Sequence, residues 1–146
     1  MLRTYRELEV WQKSYQMCLD LYRLTKGFPL EEKYGLTSQL RRAAVSVPSN
    51  IAEGYGRKTV LEYIRSLYVA NGSVCELETQ LMLARDLDYL DDAQARQLRG
   101  QLGSVERMLR ALIRALDASA PRRGPSGHRP EPRNPRPPEP ERRERR

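Results

Sequence analysis

Apolar residues recur three or four positions apart through most of this chain, and no stretch alternates in the two-residue rhythm of a strand. Four helices follow from that pattern. The first is predicted from about Tyr5 to Lys26, with Leu8, Trp11, Tyr15, Cys18 and Tyr22 as its main stripe. Val10, Met17, Leu21 and Leu24 widen the stripe beyond one face, which predicts contact with more than one neighbour. Gly27-Phe28-Pro29 breaks the pattern. The second helix is expected to begin near Leu30, where Glu31 and Glu32 suit the positive end of the macrodipole. It continues through Leu36, Leu40, Ala44, Val47 and Ile51 and stops at Gly54-Tyr55-Gly56.

Thr59 and Glu62 form a capping box that opens the third helix. Leu61, Ile64, Leu67, Tyr68, Val74, Leu77, Leu81 and Ala84 give it a broad buried face to about Leu87. Asp91 and Gln94 cap the fourth, where Leu98, Leu102, Val105, Leu109, Leu112 and Leu116 make a heptad stripe. Connections of roughly three to six residues favour antiparallel neighbours. The expected fold class is therefore all-α: an antiparallel up-down-up-down four-helix bundle over residues 1–117.

One segment conflicts with its own pattern. Arg41 to Arg57 has helical spacing, yet it carries Pro48 in the middle, at a cost of ~3 kcal/mol in a helix interior. Ala43, Ala44, Ser46, Ser49, Ala52, Gly54 and Gly56 surround it, small enough for another backbone to come close. The simplest reading is a kinked second helix shaped for close packing. The other is a kink that presents backbone carbonyls or Asn50 to a ligand.

Composition then divides the chain. Eight of the ten prolines follow Ala120, and residues 118–146 hold nine arginines against four glutamates, 9 − 4 = +5. Residues 1–117 carry only 17 − 15 = +2 of the formal +7. With almost nothing apolar to bury, 118–146 is expected to be a disordered Pro/Arg-rich tail. Arginine forks suit phosphate, but the tail has no aromatic residue for base stacking and interleaves glutamates, so a merely solubilising role fits equally.

Cys18 and Cys75 fall within apolar patterns and read as buried free thiols of a reduced compartment. No apolar run approaches the ~20 residues of a membrane span, and MLRTYRELEVW lacks the apolar stretch of a secretory signal. A cytoplasmic protein is expected.

Catalytic chemistry finds little to work with. His128, the single histidine, lies in the tail, so neither a di-iron bundle site nor a zinc site can be assembled, and no cofactor is implied. Gly54-Tyr55-Gly56 lacks the glycine pattern of a phosphate loop and follows a helix. Ser46, Ser49 and Ser73 have no histidine base. The chain reads as a non-enzyme without a small-molecule substrate.

LTSQLRRAAVSVPSNIAEGYGRK, followed by EYIRSLYVANGSVCELETQLMLARDLDYL, closely resembles the four-helix-bundle proteins encoded in intervening sequences of bacterial 23S rRNA genes. Accessory variability determinant proteins of diversity-generating retroelements belong to the same family. The resemblance covers about Tyr5 to Leu116 and rests on a mid-helix VPSN running into AEG, then GS-x-x-EL. It implies a homopentameric ring of bundles. In the retroelement branch that pentamer is a basic, non-enzymatic partner of a reverse transcriptase and its RNA. This chain is closer to the intervening-sequence branch.

Two groups of candidate residues follow. Pro48, Asn50, Glu53, Gly54, Glu76 and Glu78, with Asn71 and Ser73, read as packing and assembly positions. Either carboxylate of the Glu76–Glu78 pair is expected to meet an arginine of the second helix or of an adjacent subunit, Arg41 and Arg42 being the nearest in pattern; a solvated face is the alternative. Tyr55, Arg57 and Lys58 sit at one end of the bundle, with Arg41, Arg42 and Arg65 as additions and Arg107, Arg110 and Arg114 as further ones. Singly they only complement helix C-termini; repeated around a ring, they would form a basic rim able to bind RNA or DNA phosphate. The expected function is thus an oligomeric RNA or ribonucleoprotein accessory factor. The alternative is a protein-interaction scaffold that binds no nucleic acid.

Overall fold

The computed structural model describes residues 2–120. Helix α1 spans Glu9–Thr25, α2 Leu36–Tyr55, α3 Val60–Asp86 and α4 Asp92–Ser119, with single 3-10 turns at Tyr5–Glu7 and Leu30–Glu32. Among the described residues there is no strand. Each helix packs on two others: α1 on α2 and α4, and α3 on α2 and α4. Directions follow from the cross-helix pairs. Ser46 faces Ser73 while Gly54 faces Ser66, so α2 and α3 are antiparallel. Arg85 reaches Asp92 and Arg99 reaches Glu78, which makes α3 and α4 antiparallel as well. This is the expected four-helix bundle. The expected disordered tail falls outside the described residues from 121 onward, and α4 runs through Ser119, past the expected domain end at 117.

Met17, Leu21, Leu40, Val47, Ile51, Leu67, Leu77, Leu81, Leu98, Val105 and Leu109 form the sealed centre of the core. Burying each such side chain favours folding by ~1.5–3 kcal/mol. The face that α1 turns inward is Val10, Ser14, Met17, Leu21 and Thr25, not the expected Trp11–Tyr15–Cys18–Tyr22 row. The aromatic row lies on the flank, where Trp11 stacks on Tyr15 at 5.0 Å and the phenols keep access to water. Ser14 and Thr25 enter the core because their hydroxyls donate back to the carbonyls of Trp11 and Leu21.

The second helix starts later than its sequence pattern indicates. Leu30–Glu32 forms only a 3-10 turn, leaving Leu30 87% exposed, and the chain breaks at Gly35 before α2 begins. Gly35 has no side chain to cap the new N-terminus. Glu32 supplies that function from the preceding turn: its Oε2 accepts from the Leu36 amide at 2.8 Å. Its other oxygen accepts from the Tyr89 hydroxyl at 3.2 Å, and Tyr89 packs against Phe28. A single carboxylate therefore ties the α1–α2 connection to the α3–α4 connection.

Helix α2 then continues through buried Pro48 to Tyr55. The ring cannot donate to the Ala44 carbonyl, so one rung of the ladder is missing. The small residues explain why this is tolerated. At Gly54 an added Cβ would lie 2.8 Å from Ser66 Cβ and 2.9 Å from Tyr63 Cδ2, inside contact distance. The two backbones approach there more closely than any side chain allows. Two residues beyond Pro48, the Asn50 side-chain amide donates to the Ser46 carbonyl at 2.8 Å and to its hydroxyl at 2.9 Å, and Ser73 bonds that hydroxyl from α3.

Helix α3 keeps Ile64, Leu67, Val74, Leu77, Leu81 and Ala84 inside, but Leu61 and Tyr68, expected in the core, are 55% and 59% exposed. Small buried Ser66, Ala70 and Ser73 replace them on the face toward α2, where the close approach leaves no room for larger groups. The helix ends in a Schellman motif: Tyr89 N–H donates to the Ala84 carbonyl and Asp88 N–H to that of Arg85. Asp88 takes the left-handed conformation, φ 63°, usually left to glycine.

The Asp91–Gln94 capping box opens α4 as expected. Its stripe is buried through Leu109; then Ile113 takes the core position, with Leu112 and Leu116 half-buried. A straight helix drifts ~20° per heptad, which moves the buried edge by one residue over this length.

Candidate functional site

The candidate cations do not form one cluster. Arg57, Lys58 and Arg65 lie at the end where α2 leaves and α3 begins, whereas Arg41 and Arg42 lie in the N-terminal half of α2. Arg41 is occupied within the fold. Its Nε donates to Thr25 Oγ1 at 2.9 Å, its Nη2 to the Tyr22 carbonyl at 3.3 Å, and its guanidinium lies 4.6 Å from the centre of the Tyr22 ring. Arg57 pairs with Glu53 one turn earlier on α2. Tyr55 is half-buried; its hydroxyl donates to the Leu2 carbonyl at 3.1 Å and its ring meets Tyr63 edge-on. Burial and then the nearby Tyr55 phenol hold the Tyr63 hydroxyl above its ordinary pKa. Arg42, Lys58 and Arg65 are exposed.

Of the partners expected for the acidic pair, the second-helix arginines need correction. Within the chain, Glu78 meets Arg99 of α4 at 3.9 Å, and Glu76 accepts from Gln80 of its own helix at 3.0 Å. Neither carboxylate reaches α2. The α2 arginines are turned toward α1 or solvent, and Gln80 occupies the intervening buried position. Asn50 and Ser73 do join α2 to α3 through Ser46, while the buried Asn71 Oδ1 has no hydrogen-bond partner.

Cys75 is exposed, contrary to expectation, and only Cys18 is partly buried, which raises its thiol pKa. No group of three or more histidine, cysteine or carboxylate side chains able to hold a metal occurs among the described residues. No described helix is long and apolar enough to cross a membrane.

Residues 6–111 match the family model of the 23S rRNA-intervening sequence protein. The chain belongs to this family. The fold comparison agrees: a crystal structure from Bacteroides thetaiotaomicron, of a protein of unknown function from the S23 ribosomal protein family, superposes with a TM-score of 0.65. It shares 20% identity with this chain, covering 71% of it and 97% of the other, a likeness that speaks to fold alone. No curated protein matches the chain.

Two features of this intervening-sequence protein escape a helix-by-helix reading of its sequence. The first is the outer face of α3, where Leu61, Tyr68, Val69, Met82, Leu83 and Leu87 are each about half exposed. Leu61 and Tyr68 read as core positions in the sequence pattern; only the close α2–α3 approach shows which side of the helix they take. The second is on α4, where Arg96 and Arg99 extend the three expected candidates Arg107, Arg110 and Arg114 into a row. Arg96, Arg99, Arg107, Arg110 and Arg114 are all exposed and recur at helical spacing on its outer side. Scattered among glutamines and alanines, they carry no linear motif. A search for helical periodicity in the charges, as well as in the apolar residues, finds them.

Proposed function

We propose that this protein is a non-enzymatic, homo-oligomeric accessory factor that contacts RNA or a ribonucleoprotein, with a supporting role beside a reverse transcriptase as its most specific form. The observation that carries the reading is the apolar outer face of α3. Half-exposed Leu61, Tyr68 and Val69 near its start and Met82, Leu83 and Leu87 at its end form two apolar patches on one side of the helix, with exposed Gly72, Cys75, Glu76 and Thr79 between them. A second copy is the partner this reading assigns to that face, and a pentamer is the assembly the sequence resemblance implies. Assembly changes the electrostatics. One subunit over residues 1–117 has a net charge of only +2, and several of its cations are already engaged. Repetition places each weak cationic site beside its copies, so that a bound polyanion finds the next one at high effective concentration.

Binding of a labelled RNA by the full chain across a salt series tests the reading. The logarithm of affinity is expected to fall linearly with the logarithm of salt concentration, the mark of phosphate contacts that release counterions. An assembled protein that binds no RNA even at low salt would instead favour the second reading, a scaffold whose α3 face serves protein partners alone.

A further inference from the structure

The geometry points to the arginine row of α4, rather than the α2–α3 end, as the surface that takes the phosphate backbone of duplex nucleic acid. This rests on the nucleic-acid reading above and gives it a face. From Arg96 to Arg114 the row covers about 27 Å of helix at ~1.5 Å per residue. At ~100° per residue its five arginines fall within a stripe roughly 80° wide, on one flank of the buried positions. Every cation of α4 is an arginine, the side chain whose planar fork matches phosphate oxygens in pairs. Arg110 pairs with Glu106 at 2.7 Å and Arg99 with Glu78 at 3.9 Å. Arg96, Arg107 and Arg114 make no ion pair among the described residues; Arg107 has only a 3.2 Å bond to Ser104.

The middle of the row supplies an independent sign. Gly100 and Gly103 sit inside α4, where each costs the helix ~1 kcal/mol relative to alanine. The bundle does not need them. An added Cβ at Gly100 would meet nothing within 4 Å, and one at Gly103 only the flexible tip of Arg107 at 3.4 Å. This is the opposite of Gly54, whose hydrogen faces a wall. Together they leave a stretch of bare backbone flanked by arginines, beside a groove of about 320 Å³ that Val74, Glu78, Arg96, Arg99 and Glu106 also line. Bare backbone between forks admits a sugar-phosphate chain more closely than a continuous row of long side chains would.

The chemistry selects the occupant. No aromatic residue occurs anywhere in α4, so the face has no platform on which unpaired bases could stack. The exposed positions around the row are alanine, glutamine and glycine, with Asp92 and Asp117 at its two ends, and none is a bulky apolar group of the kind that inserts into a membrane or anchors a protein interface. What remains is backbone contact without base readout, as in electrostatic recognition of a duplex.

Two charge-matched variants of the full chain test this, Arg96→Gln/Arg107→Gln/Arg114→Gln and Arg57→Gln/Lys58→Gln/Arg65→Gln, against a short labelled RNA duplex and the DNA duplex of the same sequence. All six residues are exposed, and circular dichroism checks that both proteins keep their helices. The α4 triple is expected to lose at least about tenfold in affinity and to flatten the salt slope by about 2–3, since each phosphate contact contributes ~0.9. The α2–α3 triple is expected to stay within about twofold of wild type. Gly100→Leu, which has open space and a better helix former, should weaken binding without changing charge. Loss in the α2–α3 triple alone, or equal loss in both, would overturn the assignment to α4 while leaving the nucleic-acid reading intact. Tighter binding of polyglutamate than of either duplex, dependent on the same arginines, would overturn it in favour of an acidic protein partner. Failure of wild-type protein to bind any duplex or single strand at low salt would overturn both readings together.

Discussion

Glycines at three places in this bundle follow opposite rules, and the difference is physical rather than compositional. Gly54 is required because Ser66 and Tyr63 stand where its side chain would go. Gly54→Ala is accordingly expected to cost about 1–3 kcal/mol, the usual penalty of overpacking a closed interface, as read from denaturant midpoints. Unchanged stability would mean that α2 and α3 do not approach as closely as described. Gly100 and Gly103 face no such wall, and so their presence asks for an explanation outside the bundle. The cysteines differ in the same local way. Cys18 is partly buried with its thiol pKa raised by desolvation, so near neutral pH little of it is thiolate. In the single chain released by disrupting the α3 face, a thiol reagent is expected to modify exposed Cys75 and to reach Cys18 at a comparable rate only after denaturation.

Among the elements, α4 was the most legible and α1 the least. A heptad stripe flanked by a capping box leaves one solution for α4, apart from the slow drift that brings in Ile113. In α1 two apolar rows compete. The aromatic row looks stronger by size, but tyrosine hydroxyls and the tryptophan ring find both water and packing on a flank, and the smaller Val10–Met17–Leu21 row goes inward. The start of α2 was hidden for another reason: its cap comes from Glu32, a residue outside the helix whose role depends on a break at Gly35. Glu32→Ala is expected to lower stability by about 1–2 kcal/mol through loss of that cap and of the Tyr89 bond. Glu31→Ala, removing an exposed carboxylate of the same turn with no such bonds, is the matched control in the same denaturant titration. The candidate site was legible in kind but not in place. Basic residues were evident from composition; which of them are engaged, as Arg41 and Arg57 are, and which line up, as on α4, depends on helix faces and neighbours.

For the whole molecule, the proposed function requires that a small bundle of nearly balanced charge act by being repeated. The face that repetition would cover is α3, with Val69 and Leu83 exposed in its middle and last turns. Val69→Glu with Leu83→Glu is expected to leave the helical content intact, because neither side chain contributes to the core, and to disperse the assembly. The direct measurement is the solution mass of the full chain by light scattering coupled to size exclusion. A mass near five times the 16.9 kDa chain, falling to that of one chain in the α3 double variant, is the result predicted. A wild-type mass of a single chain at micromolar concentration would contradict the claim that this protein acts by assembly.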